Sequence, residues 1–218
     1  MEHDRHRLAA LLDDAARGRF PAADGTVEIL PAPPGRPMAV VAFTGRHVVA
    51  TSAPEAWVRE RLRDGDLLAP MGPRFLADLA VELGRRADTI DVVLAATGLD
   101  GEASLVEVER DAHPRVMRAN AHRHDVRTFE DPSGAAVVIL GQGLALRTEV
   151  AIDVAGADRG HGVGRHALVE ARRLLAPDEL LFAQTAPGNA ASLRALLAAG
   201  FRPIGGEVLF FAGEPPPV

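Results

Sequence analysis

Between a β-branched run that ends at Val154 and an amphipathic stretch beyond it, the chain reads Arg159-Gly160-His161-Gly162-Val163-Gly164-Arg165. No other segment constrains the fold as strongly. Val163, Ala167, Leu168, Ala171, Leu174 and Leu175 then recur at helical spacing. The junction therefore opens a helix, predicted from about Gly160 to Leu175, whose apolar stripe must pack on a sheet. Leu180–Thr185 follows as a strand, Asn189–Ala199 as a helix with Gly200 past its end, and Phe201–Phe211 as a closing strand. The order strand, glycine loop, helix, strand, helix, strand is that of an α/β protein.

A helix start of this kind attracts anions. Its first backbone N–H groups have no partner inside the helix, and the macrodipole places about half a positive charge there. Glycines at 160, 162 and 164 remove the side chains that would hold a ligand away, and Arg159 and Arg165 add permanent positive charge. The segment reads as a pyrophosphate site. It is not a dinucleotide fingerprint of the G-x-G-x-x-G form, because Arg165 and Ala167 stand where the third glycine is needed. A Walker loop is excluded, since the 24 basic residues are all arginine.

Absent residue types exclude further chemistry. Without cysteine there is no disulfide, thiolate nucleophile or cysteine-type zinc site, and without tyrosine no phenol acts as an acid. Neither Ser133 nor Ser192 sits in a nucleophile elbow, which argues against a serine hydrolase. The formal charge of −6 gives no basic footprint for nucleic acid. No apolar run reaches the roughly 18–20 residues that span a bilayer, and the charged start Met1–Arg7 is not followed by a signal-type core. The expectation is a cytoplasmic protein that binds neither nucleic acid nor membrane.

The 218 residues divide softly at Gly98–Ala103, into an N-terminal α/β region (1–103) and a second part (104–218). In the first, helices are expected over residues 1–20, Pro54–Arg63 and Pro73–Arg86, a hairpin over Met38–Phe43 and His47–Thr51, and a buried strand over Ile90–Ala96. Ser52 and Glu55 have capping-box spacing for the second helix. Trp57, among Arg59, Arg61 and Arg63, reads as an amphipathic anchor. In the second part come a short strand at Leu105–Val108, a helix at Pro114–Arg123, and strands at Val126–Phe129, Ala135–Leu140 and Leu144–Val154. The tail Gly213–Pro217 is expected to fray. His113, His122 and His124 lie among arginines and read as a surface helix end, with no metal site. The basic stretch Arg110–Arg127 reads as mostly solvated.

The spacing Arg159-x-x-Gly162-x-Gly164 after a strand resembles the acyl-CoA pyrophosphate motif of the GNAT superfamily of N-acetyltransferases. Asn189-Ala190-Ala191-Ser192-Leu193-Arg194, followed by Ala199-Gly200-Phe201, resembles that family's later helix and its exit into the next strand. The likeness covers about residues 144–211. It implies a mixed, mostly antiparallel sheet flanked by helices, with the N-terminal α/β region added to it. It implies acetyl-CoA as co-substrate, held by Arg159, Gly160, Gly162, Val163, Gly164 and Arg165 at its phosphates. Its pantetheine arm would pair with backbone near Ile152 and Val154, between splayed parallel strands. Asn189 and Ser192 would hydrogen-bond the arm or the phosphates. A small-molecule or peptide amine would attack the thioester directly, with Glu149 as the candidate base.

Two positions depart from the pattern. The family's tyrosine acid falls at Leu196, and its strand glutamate near Thr148, so Glu149 reaches the same face only through a bulge. A non-catalytic acyl-CoA binding module therefore stays open as a second reading, and an interaction protein with an incidental loop as a third. The N-terminal region is expected to shape the acceptor pocket or a homodimer contact.

Overall fold

The computed structural model describes residues 5–62 and 65–213. Residues 1–4 of the first expected helix, Arg63 at the end of the second, and the tail from Glu214 lie outside the described residues. Helix α1 covers Arg7–Ala16, where Leu8, Leu11 and Leu12 form the buried stripe. Its start is capped by His6, whose Nδ1 accepts the Leu8 N–H at 3.2 Å. Strand β1 (Val27–Leu30) was not anticipated; it pairs in parallel with β3 (Arg46–Ala50), which forms the expected hairpin with β2 (Met38–Phe43).

Helix α2 spans Glu55–Arg61 and α3 spans Pro73–Leu83, with Gly84 left-handed after it. The capping box at Ser52 does not form. Pro54 takes the N-cap position, no side chain caps α2, and the Thr51 hydroxyl accepts the Ala53 N–H instead. Strand β4 runs from Arg86 to Thr97, four residues earlier than its apolar pattern predicts. The extra segment, Arg86 to Thr89, is polar except at Ala87, and at Arg86 and Ala87 it pairs with the end of β10 (Arg202–Phe211).

The second half continues with β5 (Val106–Glu107), α4 (Pro114–His122), β6 (His124–Glu130), β7 (Ala136–Gln142), β8 (Thr148–Val154), α5 (Val163–Arg173), β9 (Leu180–Thr185) and α6 (Ala190–Ala198). Residues 144–146 form a tight turn, not the start of β8 as expected. The reason is local: the Gly143 N–H donates to the Arg147 carbonyl at 3.0 Å, closing the turn.

All ten strands form one sheet in the order β1-β3-β2-β10-β4-β9-β8-β7-β6-β5. Among the described residues only β1–β3 and β8–β9 are parallel, so the sheet is mixed and mostly antiparallel. Strand β4, from the N-terminal 103 residues, lies between β10 and β9 in the middle of it. Helices cover both faces. On one, α1 packs on Val41, Val93, Phe182 and Leu209, and α4 on Ile139 and Ala151. On the other, α2 and α3 pack on Val40, Val49 and Val208, and α5 and α6 on Leu94, Val138, Val150 and Leu181. Strand alternation sends successive residues to opposite faces, so this assignment fixes which polar side chains meet.

Candidate active site

The parallel pair β8–β9 is held by a single bridge, Glu149 opposite Phe182. Beyond it the two strands part, and the edge of β8 from Val150 to Val154 has no partner in β9. On its other side β8 pairs with β7 without interruption, from Gln142–Thr148 to Ala136–Val154. The opening therefore lies on one side of an otherwise regular strand.

Helix α5 starts beside this opening. Its N-cap is Gly162, left-handed at φ 86°, and no side chain caps the helix. A Cβ built on Gly160 or Gly162 would meet nothing within 4 Å, so the space beside the helix start is open. Gly164 is the second residue of α5, and a Cβ there would sit 3.4 Å from Ile152 and 3.5 Å from Val154. Small residues thus seat the helix start directly on the end of β8. Arg165 and His161 are exposed. Arg159 turns back instead: its Nε donates to the Val154 carbonyl at 3.0 Å, and its guanidinium lies 3.8 Å from Asp153. That carbonyl is one of the backbone groups to which an incoming arm was assigned. Loop and strand edge fit an extended ligand with an anionic end, with Arg159 as the group that would have to move.

A cavity of about 280 Å³ passes through the sheet at the opening. Towards α5 and α6 it is lined by Val150, Ile152, Leu168, Asn189, Ser192 and Leu196. Asn189 is the N-cap of α6, its Oδ1 accepting the Ser192 N–H at 3.1 Å. Leu196, where the family pattern has tyrosine, is buried and apolar.

Towards α4 the wall is charged. Register puts Asp91 of β4 directly opposite Glu207 of β10, and Gln184 of β9 opposite Val93. With Glu149 they occupy the face covered by α1 and α4. Arg147, only 5% exposed, holds the two glutamates together: it donates to Glu207 at 2.5 and 2.9 Å and to Glu149 at 2.8 Å. Glu149 also accepts from Arg123 Nε at 2.9 Å, from Gln184 at 3.1 Å and from the Leu144 N–H at 3.3 Å. A Cβ at Gly143 would lie 2.3 Å from this carboxylate, so only glycine fits there. Ala145 and Leu146 are both left-handed (φ 53° and 62°), a conformation that costs non-glycine residues roughly 1–2 kcal/mol each. The turn that delivers Arg147 is thus strained.

These contacts decide what Glu149 can do. Burial pushes its carboxyl up, but the Arg147 and Arg123 guanidiniums outweigh burial and hold it below the ordinary glutamate range. It is saturated with donors, and β8 has no bulge that would turn it to the other face. Its surroundings are those of an ion-pair centre and not of a free base. Glu207 moves the other way: burial raises it, Arg147 lowers it, and Glu149 and Asp91 add repulsion that leaves it above its usual value. Asp91 is also raised, by burial first, then by Asp88, against a hydrogen bond from Thr89 and the charge of Arg118.

Several residues of this wall escape sequence reasoning. Asp88 and Thr89 sit in the extension of β4 and Asp91 just inside the expected strand; their only signal was a run of polar residues entering a buried strand. Arg123 and His122, expected at a solvated helix end, are instead drawn inside. Arg123 is 11% exposed, and His122 stacks on Phe211 with centroids 3.9 Å apart. Burial, with the charges of Arg118 and Arg86, pushes the His122 imidazole down to about 4, so it is neutral at physiological pH. His113 instead caps α4 through Nδ1. Among the described residues no group of three or more His, Asp or Glu is placed to hold a metal ion, and no helix is long and apolar enough to cross a membrane.

No protein-family model and no curated protein matches the chain. Solved structures that are similar to part of it include the following three. An acetyltransferase of the GNAT family from Colwellia psychrerythraea is 14% identical over 64% of this chain and 62% of its own, with a TM-score of 0.37. A putative GNAT acetyltransferase from Novosphingobium aromaticivorans is 17% identical over 60% and 68%, with a TM-score of 0.38. A GCN5-related N-acetyltransferase from Kribbella flavida is 16% identical over 64% and 64%, with a TM-score of 0.38. The match spans less than two thirds of the Colwellia protein. By its own strand order and helix placement, the chain is an α/β protein whose mixed, mostly antiparallel sheet is flanked by helices on both faces and opens between β8 and β9.

Proposed function

We propose that the chain is a GNAT-type N-acetyltransferase that moves the acetyl group of acetyl-CoA to a primary amine by direct attack. The observation that carries this is the parted parallel pair β8–β9, with an uncapped, glycine-lined helix start at one side and a cavity running through the sheet. The N–H groups of Val163, Gly164 and Arg165 would receive the pyrophosphate. The free edge of β8 near Ile152–Val154 would take the pantetheine arm as an added strand, and a backbone N–H there would stabilise the developing oxyanion. Asn189 and Ser192 line the same passage. The amine enters from the α4 side. Its nitrogen attacks the thioester carbonyl, a C–N bond forms, the C–S bond breaks, and the thiolate takes a proton. With Leu196 where the family has tyrosine, water supplies that proton.

Calorimetric titration with acetyl-CoA, CoA and NAD tests the donor site: micromolar binding of the CoA species alone is expected. Amine-dependent thiol release tests turnover, with no background because the protein has no cysteine. A second reading, a non-catalytic acyl-CoA binding module, is favoured by two observations: Glu149 is locked in ion pairs, and Leu196 is apolar. Binding without turnover of any amine would select it.

A further inference from the structure

The cavity wall towards α4 has unmet polar groups of two kinds. Among the described residues Asp91 forms no ion pair; its one side-chain partner is the Thr89 hydroxyl, which donates at 3.0 Å. The other wall carboxylates are engaged: Asp88 with Arg118 at 2.7 Å, Glu149 with Arg147 and Arg123, Glu207 with Arg147. Three further buried atoms on this wall lack a partner among the described residues: Gln184 Oε1, His122 Nε2 and Arg123 Nη1. Buried polar groups are rarely left unpaired, and the usual remedies are water or a ligand. Here they line one cavity, which also reaches Val150 and Ile152 at the free edge of β8.

The unmet set defines a complement. Asp91 calls for a cation. Gln184 Oε1 accepts an N–H. Arg123 Nη1 donates to an oxygen, most favourably an anionic or carbonyl one. Asp91 and Arg123 are also the two ends of one chain of charges, since Asp91 faces Glu207, Arg147 bridges Glu207 to Glu149, and Glu149 holds Arg123. A ligand that bridges them carries an ammonium at one end and an oxygen acceptor at the other. A cavity of about 280 Å³ has room for a small group of this kind.

We infer that the α4-side wall is the acceptor subsite for an α-amino carbonyl compound, with Asp91 receiving its ammonium group and taking its proton, and Arg123 holding its carbonyl or carboxylate oxygen. The inference rests on the acetyltransferase reading above. One proton passes from R–NH3+ to the Asp91 carboxylate and on to solvent. The freed lone pair forms the C–N bond, the C–S bond breaks, and the second N–H proton passes to water, which in turn protonates the thiolate. Free amino acids and peptide N-termini share this chemistry. Charged or titrating groups on the wall besides Asp91 are Asp88 on β4, Glu207 on β10, Glu149 on β8, and Arg115, Arg118, His122 and Arg123 on or just after α4. Of these, Asp88 raises the Asp91 carboxyl and Arg118 lowers it, after burial has pushed it up.

The experiment compares wild type with Asp91→Asn, an isostere that keeps the shape and removes the charge. Thiol release from acetyl-CoA is measured with alanine, alanyl-alanine amide and propylamine, across pH, alongside calorimetric titration with acetyl-CoA and with alanine alone. In wild type the two α-amino carbonyl compounds should exceed propylamine at least tenfold in kcat/KM. The better of the two identifies the source. Asp91→Asn should lose at least about 100-fold in kcat/KM and the acid limb of the pH profile, yet bind acetyl-CoA within twofold of wild type. Alanine alone should bind wild type at millimolar strength and not bind the variant. A variant with the wild-type rate and pH limb would overturn the inference. So would a wild type that binds acetyl-CoA but prefers propylamine or uses no amine. Failure of acetyl-CoA to bind wild type sinks the acetyltransferase reading instead, and the alanine titration then still decides the subsite: equal heats from both proteins count against Asp91.

Discussion

The two ends of the cavity are built by different means. At the α5 end the polar groups are backbone N–H donors on a short stretch of chain, exposed and uncapped, with glycines keeping their approach open. At the α4 end they are mostly charged side chains from β4, β8, β9, β10, α4 and the turn before β8, with Arg147, Glu149 and Glu207 buried and most of the others half-buried. A backbone site survives as long as the local conformation does. A site of buried charges depends on every partner, because removing one leaves the others unpaired in a medium that solvates them poorly. The first end should therefore respond to substitution in affinity, and the second in stability.

The largest effect should come from the charged end. Arg147→Met removes the guanidinium shared by Glu149 and Glu207, both almost fully buried, and should cost about 3–5 kcal/mol in urea unfolding. A loss under 1 kcal/mol would erase the distinction between the ends. Within this network Glu149 contributes acid lability, while the raised Glu207 carboxyl acts in the opposite sense. The Glu149 carboxyl is held below its unfolded range, so its contribution is present at neutral pH and is lost as pH falls below that range.

At the backbone end, Gly162→Asp places a carboxylate at the uncapped start of α5 in a left-handed conformation. CoA affinity should fall at least about 100-fold, equivalent to about 2.7 kcal/mol, with a smaller loss of stability. An unchanged affinity would remove the pyrophosphate assignment. Asn189→Ala lies between the two regimes. Loss of its cap to the Ser192 N–H should cost about 1 kcal/mol of stability. If Asn189 also touches the cofactor, CoA affinity falls with it; stability loss alone makes it a cap only.

The smallest effect has the opposite sign. Burial raises the Asp91 carboxyl, so ionising it costs stability once the pH passes its unfolded range. Asp91→Asn should therefore unfold at slightly higher urea than wild type at pH 7, and the gain should vanish near pH 3. A destabilised variant would mean that Asp91 has a structural partner after all.

This contrast also explains what the sequence discloses. The α5 end is readable because its elements are contiguous: the apolar stripe from Val163 to Ala171, the glycines at 160, 162 and 164, and the Asn189 helix start. The α4 end joins Asp91, Arg123, Arg147, Gln184 and Glu207, which are distant in sequence and meet only through strand register. Nothing local distinguishes Arg147 from a solvated arginine. Periodicity likewise stops at Ile90 and misses the polar start of β4, because β10 supplies that pairing from the far end of the chain. The turn at 144–146 is hidden for the same reason. Its apolar residues read as strand, but the chain bends there and the Leu144 N–H donates to a buried carboxylate.

The central claim is that the opening between β8 and β9, with the α5 helix start beside it, holds a CoA thioester. Calorimetric titration of the wild-type protein with acetyl-CoA, CoA and NAD tests it most directly. The account predicts micromolar heats with both CoA species, none with NAD, and their loss in Gly162→Asp. An absence of heat with every CoA species would contradict it, as would equal binding of NAD.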